Sequence, residues 1–191
     1  MIRAFIAVNI SDDQRRSVDE LLGKVKGYDV RVKWVDVGNL HVTLKFLGDT
    51  DEKILPDMYA AIEDSLTGEE SFDLSFDGLG CFPNLNRPRV FWVGIENGFS
   101  NLKELSRKVE GAVRPFGFEP EKRKFSAHLT IGRVKDPRNI DSLTTDYGRM
   151  EFAAGASKIS NVVFYQSTLR PSGPMYTPLR TFELNAQRED S

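Results

Sequence analysis

One cysteine, Cys81, and two histidines, His41 and His128, are all that 191 residues hold of those two types. A lone thiol rules out an internal disulfide, and two imidazoles with one thiol make no Cys/His cluster of zinc-ligand spacing. A reducing cytoplasm is the compartment this composition suits. Neither sign of charge is in excess, with 26 Lys and Arg against 28 Asp and Glu. No global positive field therefore draws the chain onto long nucleic acid, although a pocket a few residues wide can still grip one phosphate. Long apolar runs are missing as well. The apolar run over 1–8 is too short for a signal-peptide core or a membrane span, so neither export nor membrane insertion is expected. No low-complexity stretch or linker breaks the chain. Its 40% hydrophobic and 28% charged residues are those of a globular protein able to bury a core without disulfide or metal support. The expectation is one domain over 1–185 with a polar tail over 186–191, acting as a monomer.

What is present alternates between two periods. Residues 1–8 read as a buried strand, closed by the helix-start signal Ser11-Asp12-Asp13. Val18, Leu21, Leu22 and Val25 fall at helical spacing and predict a helix over 11–26, with Gly27 as its stop. Strands are expected over 30–37 and 40–47, a helix over 51–66, a strand over 72–76 with one wet face, and a loop over 78–88. A strand over 90–95, buried on both faces, and a third helix over 99–113 follow. Strands over 125–134, 159–168 and 177–184 complete the pattern, with 136–147 polar and either loop or short helix, and a turn at Pro171-Ser172-Gly173-Pro174. About eight strands and three helices, with strand often following strand directly, predict an α+β fold of antiparallel sheets with helices on one side.

Each histidine has threonine two residues later, in His41-Val42-Thr43-Leu44 and His128-Leu129-Thr130-Ile131. With nine Thr in the chain, that double coincidence has a chance of about 1 in 450 before correction for other patterns. On a strand, residues two apart share a face, so each motif presents one imidazole and one hydroxyl while its apolar partners point to a core. The 87 residues between the copies suggest a duplicated unit facing itself across a cleft. Two imidazoles and two hydroxyls are the parts that metal-free attack on a phosphodiester uses. One neutral His takes a proton from the nucleophile and one protonated His gives a proton to the leaving oxygen, both near pKa of about 6.5. The hydroxyls donate to non-bridging phosphate oxygens.

These residues resemble the 2H phosphoesterases, and within them the RNA 2′,3′-cyclic phosphodiesterases, also called 2′-5′ RNA ligases. The likeness runs nearly end to end: Arg3-Ala4-Phe5-Ile6-Ala7, the first motif within Leu40-His41-Val42-Thr43-Leu44-Lys45-Phe46-Leu47-Gly48, Pro88-Arg89-Val90-Phe91-Trp92-Val93-Gly94, the second motif extended to Gly132-Arg133, and Gly173-Pro174-Met175-Tyr176. The resemblance implies a bilobal, pseudo-twofold α+β arrangement of two antiparallel sheets with helices outside and one motif per lobe on a central cleft. His41 corresponds to the general acid (proton donor) and His128 to the general base (proton acceptor), with Thr43 and Thr130 holding phosphate and neither metal nor cofactor. The implied partners are RNA termini bearing a 2′,3′-cyclic phosphate, tRNA fragments or nucleotides among them. The implied product is a 2′-phosphate, and 2′-5′ ligation is the same chemistry with an RNA 5′-hydroxyl. A non-catalytic module binding RNA ends or nucleotides is the rival, disfavoured because Arg or Lys would serve phosphate as well as His does.

Further substrate contacts are expected from Arg133, which matches the family's basic position after the second motif. Strict alternation turns Arg133 away from the cleft unless Gly132 introduces a bulge. Lys45 shares the parity of Thr43 and is a phosphate candidate, and Tyr176 is placed near the cleft. Lys122, Arg123, Lys124, Lys135 and Arg138 form either an RNA-binding patch or a solvated face. Phe82, Phe125 and Trp92 are base-stacking candidates, with Trp92 reading more readily as core.

Overall fold

The computed structural model describes residues 1–121, 124–171 and 173–186. They contain nine strands: β1 (Ile2–Asn9), β2 (Arg31–Trp34), β3 (His41–Thr50), β4 (Phe72–Phe82), β5 (Val90–Asn97), β6 (Leu129–Asp136), β7 (Ala153–Ile159), β8 (Asn161–Arg170) and β9 (Gly173–Glu183). Four α-helices accompany them: α1 (Asp12–Val25), α2 (Leu55–Leu66), α3 (Phe99–Val113) and α4 (Asp141–Tyr147). Two sheets result, a first in the order β3-β1-β8-β9 and a second in the order β2-β6-β5-β4-β7. Every strand pairing in them is antiparallel. No helix among the described residues is long and apolar enough to cross a membrane.

The helices tie the sheets together by crossing over. α1 follows β1 of the first sheet and starts on a capping box, in which the Ser11 hydroxyl accepts from the Gln14 backbone N–H while Gln14 Oε1 accepts from Ser11 N–H. The same Gln14 then donates its amide to the carbonyls of Leu74 in β4 (2.7 Å) and Gly155 in β7 (2.9 Å), which docks α1 on the second sheet. Buried donors need such partners, and here one residue caps the helix and fixes its neighbour. α3 leaves β5 of the second sheet and packs on β3 of the first, beside α2. Val18, Leu21, Leu22 and Val25 of α1, and Leu102, Leu105, Val109 and Val113 of α3, are buried in one cluster that continues through both sheets. Each such side chain contributes about 1.5–3 kcal/mol by leaving water.

The helix positions agree with the apolar periodicity, and the strands depart from it in informative places. The expected loop over 78–88 is cut short because β4 runs on to Phe82, pairing with β5 through register shifts on either side of Phe76. Gly80 is required there, since a Cβ would lie 2.1 Å from the Trp92 indole. The strand expected over 30–37 shortens to Arg31–Trp34, since Asp36 caps a 3₁₀ turn at Val37–Asn39. Strand β6 begins at Leu129 rather than at 125. The short α4 falls within 136–147, read as loop or short helix, β7 occupies a stretch given no element, and β9 already starts at Gly173.

Candidate active site

The first motif opens β3 and the second runs into β6, with His128 just ahead of the strand, and both strands bulge at the same place. In the β1–β3 pairing Ala7 opposes Thr43 and Ile6 opposes Lys45, leaving Leu44 as an extra residue. In the β5–β6 pairing Trp92 opposes Thr130 and Phe91 opposes Gly132, leaving Ile131 extra. The freed carbonyls are captured from outside the pair: Leu44 O accepts from the Ser106 hydroxyl of α3 at 2.8 Å, and Ile131 O from Val35 N–H at 2.9 Å. Burial repeats over six residues from each histidine: half-buried, buried, half-buried, buried, buried, exposed. The two motifs are thus equivalent in backbone as well as sequence, with Phe46 and Arg133 as positional mates.

The bulge decides which side chains reach the motif faces, because one extra residue reverses strand parity. Arg133 opposes Val90, two residues from Trp92, and so shares the face of Thr130. The parity objection to Arg133 is removed by a bulge one residue before the glycine. The same device removes Lys45. It opposes Ile6 of the core, is 3% exposed, and donates to Glu110 Oε1 at 2.9 Å and to Glu119 O at 2.7 Å, with Glu121 at 3.8 Å. Lys45 is a buried structural cation and not a phosphate contact.

Each imidazole is held alike. His41 Nδ1 lies 2.7 Å from Asn39 O, and His128 Nδ1 lies 2.7 Å from Ser126 O. A carbonyl only accepts, so Nδ1 carries the proton and Nε2 is left for chemistry. The Phe5 ring packs 4.8 Å from His41 and the Phe82 ring 4.9 Å from His128, edge-on. Burial pushes both histidines below their ordinary pKa, partly opposed by the carbonyl bonds. A nearby cation adds to the lowering in each case, Arg15 for His41 and Arg133 for His128. The expectation of two unperturbed histidines is corrected accordingly.

Tyr176 stands edge-on to His41 at 5.2 Å. Its hydroxyl is pushed up by burial and pulled back by Arg133 and Arg3, so a residue of the first sheet feels the Arg133 charge of the second. Lys33, cross-strand from Arg133, has its Nζ 3.7 Å from where a Cβ on Gly173 would stand. The first sheet, through Tyr176 beside His41 and through Gly173, thus comes close to Lys33 and Arg133 on the second. Trp92 lies on this side too, opposite Thr130 and 5.3 Å from Phe82, and is half-buried rather than core. Phe125 instead packs near Phe99 of α3, at 6.1 Å. Lys124, Lys135 and Arg138 are exposed, and Arg138 is paired with Asp136, whose carboxyl it draws down to about 2. Lys122 and Arg123 lie outside the described residues. Sequence reasoning missed Phe5, Arg15 and Lys33, of which only Phe5 stood in a family-like stretch. Among the described residues no three His, Cys, Asp or Glu side chains gather where they could hold a metal ion.

Comparison with known proteins identifies the family and the fold. Residues 12–169 match the model of the 2′-5′ RNA ligase superfamily. An RNA 2′,3′-cyclic phosphodiesterase of Methanothermobacter thermautotrophicus is 39% identical over 96% of this chain and 99% of its own. One from Archaeoglobus fulgidus is 37% identical over 95% and 100%. Among solved structures, a Thermus thermophilus protein superposes with TM-score 0.82 at 26% identity, covering 98% of this chain and all of its own. E. coli LigT, solved with 3′-AMP, shares the fold at TM-score 0.77 and 21% identity, covering 96% and 98%. With a family match over most of its length and full-length relatives at this identity, the chain belongs to the 2′-5′ RNA ligase superfamily.

Proposed function

We propose that this protein is an RNA 2′,3′-cyclic phosphodiesterase that opens the cyclic ester to a 2′-phosphate by histidine acid–base catalysis without a metal. His128 Nε2 takes a proton from water as the water oxygen bonds to phosphorus. The P–O3′ bond breaks, and His41 Nε2–H gives its proton to the departing O3′. The products are a 2′-phosphate and a 3′-hydroxyl, and solvent exchange returns each histidine to its starting state. Thr43 and Thr130 donate to the non-bridging oxygens, where charge accumulates in the transition state, and Arg133 neutralises it.

The observation that carries this reading is the matched tethering of the two imidazoles, each with Nδ1–H spent on a carbonyl two residues upstream and Nε2 left unspent. A neutral Nε2 is an acceptor and a protonated one a donor, so the same bonding serves a base and an acid. The full-length relatives named as RNA 2′,3′-cyclic phosphodiesterases support the substrate. The test is incubation with a short RNA ending in a 2′,3′-cyclic phosphate, in EDTA, with 2′- and 3′-phosphate products resolved. A 2′-phosphate formed by the wild type and lost in His41→Ala and His128→Ala is expected. Tight binding of the RNA end without turnover would identify a binding module instead.

A further inference from the structure

Next to His41 the structure opens a recess of about 410 Å³, bordered by Asn9, Asp12, Arg15, Asn39, Tyr165 and His41 itself. Its polar walls are held in place. Arg15 Nη1 donates to Val37 O at 2.6 Å, which fixes the guanidinium while leaving its other N–H groups unspent by that bond. Tyr165 donates its hydroxyl to Asn9 Oδ1 at 2.9 Å, and Asn39 donates its amide to Pro174 O at 2.9 Å. Asp12 and Arg15 stand three residues apart on the capped first turn of α1, so they share a helix face.

In-line displacement puts attacking and leaving oxygens on opposite sides of phosphorus. With His41 serving O3′, the ribose bearing that oxygen lies on the His41 side, and its base extends into the space bordering His41. The walls there offer a cationic fork and a carboxylate together. Arg pairs bidentately with two adjacent acceptors, and a carboxylate with two adjacent donors. Guanine carries both sets, O6 and N7 as acceptors and N1–H and N2–H as donors, whereas uracil lacks a two-donor edge. We propose that the recess is the subsite for the 3′-terminal nucleoside of the substrate and that Asp12 and Arg15 read its base, favouring guanine. This assignment rests on His41 being the acid of the proposed phosphodiesterase.

The test compares kcat/KM on four short RNAs, identical except for a terminal guanosine, adenosine, cytidine or uridine 2′,3′-cyclic phosphate. The wild type is expected to prefer guanosine over uridine about tenfold or more, and Asp12→Ala and Arg15→Met each to bring that ratio close to one. Neither side chain is among the buried residues of α1, and melting curves verify that each variant folds. Turnover by the wild type with a flat base profile, or a guanosine preference that survives both substitutions, overturns the subsite and leaves the phosphodiesterase standing. No turnover on any of the four RNAs overturns both.

Discussion

Lys45→Met separates a buried structural cation from a phosphate contact. The lysine is 3% exposed and makes two close hydrogen bonds, to Glu110 and to the Glu119 carbonyl. Methionine fills the same volume and donates nothing. Breaking a fully buried ion pair from one side costs about 3–5 kcal/mol. Glu110 is 28% exposed and keeps the Glu121 N–H at 2.7 Å, so its carboxylate is not stranded. The expected loss is therefore at or below the lower end of that range, about 2–3 kcal/mol, which lowers Tm by roughly 4–12 °C in a chain of this size. Turnover of the folded variant, measured at least 15 °C below its Tm (roughly, to hold the folded fraction near one), should stay within about threefold of wild type, since Lys45 faces away from Thr43. The assay pairs a melting curve with kcat/KM on a cyclic-phosphate RNA. A Tm within about 1 °C of wild type, together with a loss of activity of about a hundredfold, would show that Lys45 works on phosphate and that the bulge argument is wrong.

The remaining predictions concern the same frame. Ser106→Ala leaves the buried Leu44 carbonyl without its hydroxyl donor and should cost about 1–2 kcal/mol, read as a Tm lowered by roughly 2–8 °C; an unchanged Tm would mean the bulge needs no such anchor. Arg133→Met should reduce kcat/KM roughly 10- to 100-fold, the worth of a charge-assisted phosphate contact. It should also raise the pKa of His128, whose lowering Arg133 shares, and NMR titration of the ring protons measures that shift. The acid must be protonated and the base neutral, and burial lowers both histidines. The free-enzyme kcat/KM profile should therefore be a bell centred on the acid side of about 6.5, and a maximum on the alkaline side would contradict the lowering of the two histidines.

The sequence carried the helices and both motifs plainly, because amphipathic spacing and a paired His-x-Thr are local signals. Val18 to Val25 and Leu102 to Val113 are buried as their periodicity predicts. The bulges at Leu44 and Ile131 were not legible, since an extra residue is defined by the partner strand and not by its own neighbours. That one feature accounts for the misreading of Lys45 and for the doubt over Arg133. Trp92 read as core because its strand is apolar throughout, yet it is Phe91, Val93 and Ile95 of that run that pack on the core, and Trp92 lies over Gly80 on the opposite face. The lowered histidine pKa values come from burial by residues distant in sequence, such as Phe5 beside His41, which no local pattern announces.

The assignment of His41 as the acid is tested most directly by replacing the oxygen it serves. A cyclic substrate with sulfur bridging at the 3′ position leaves as a thiolate, whose pKa of about 8.5 makes protonation in the transition state unnecessary. On the oxygen substrate, His41→Ala and His128→Ala should each lose about 10²-fold or more. On the sulfur substrate, His41→Ala should recover to near the wild-type rate while His128→Ala stays slow, with release of the 3′-thiol followed by a thiol reagent. Recovery of His128→Ala instead would reverse the two roles, and recovery of neither would remove general-acid catalysis by His41 from the account.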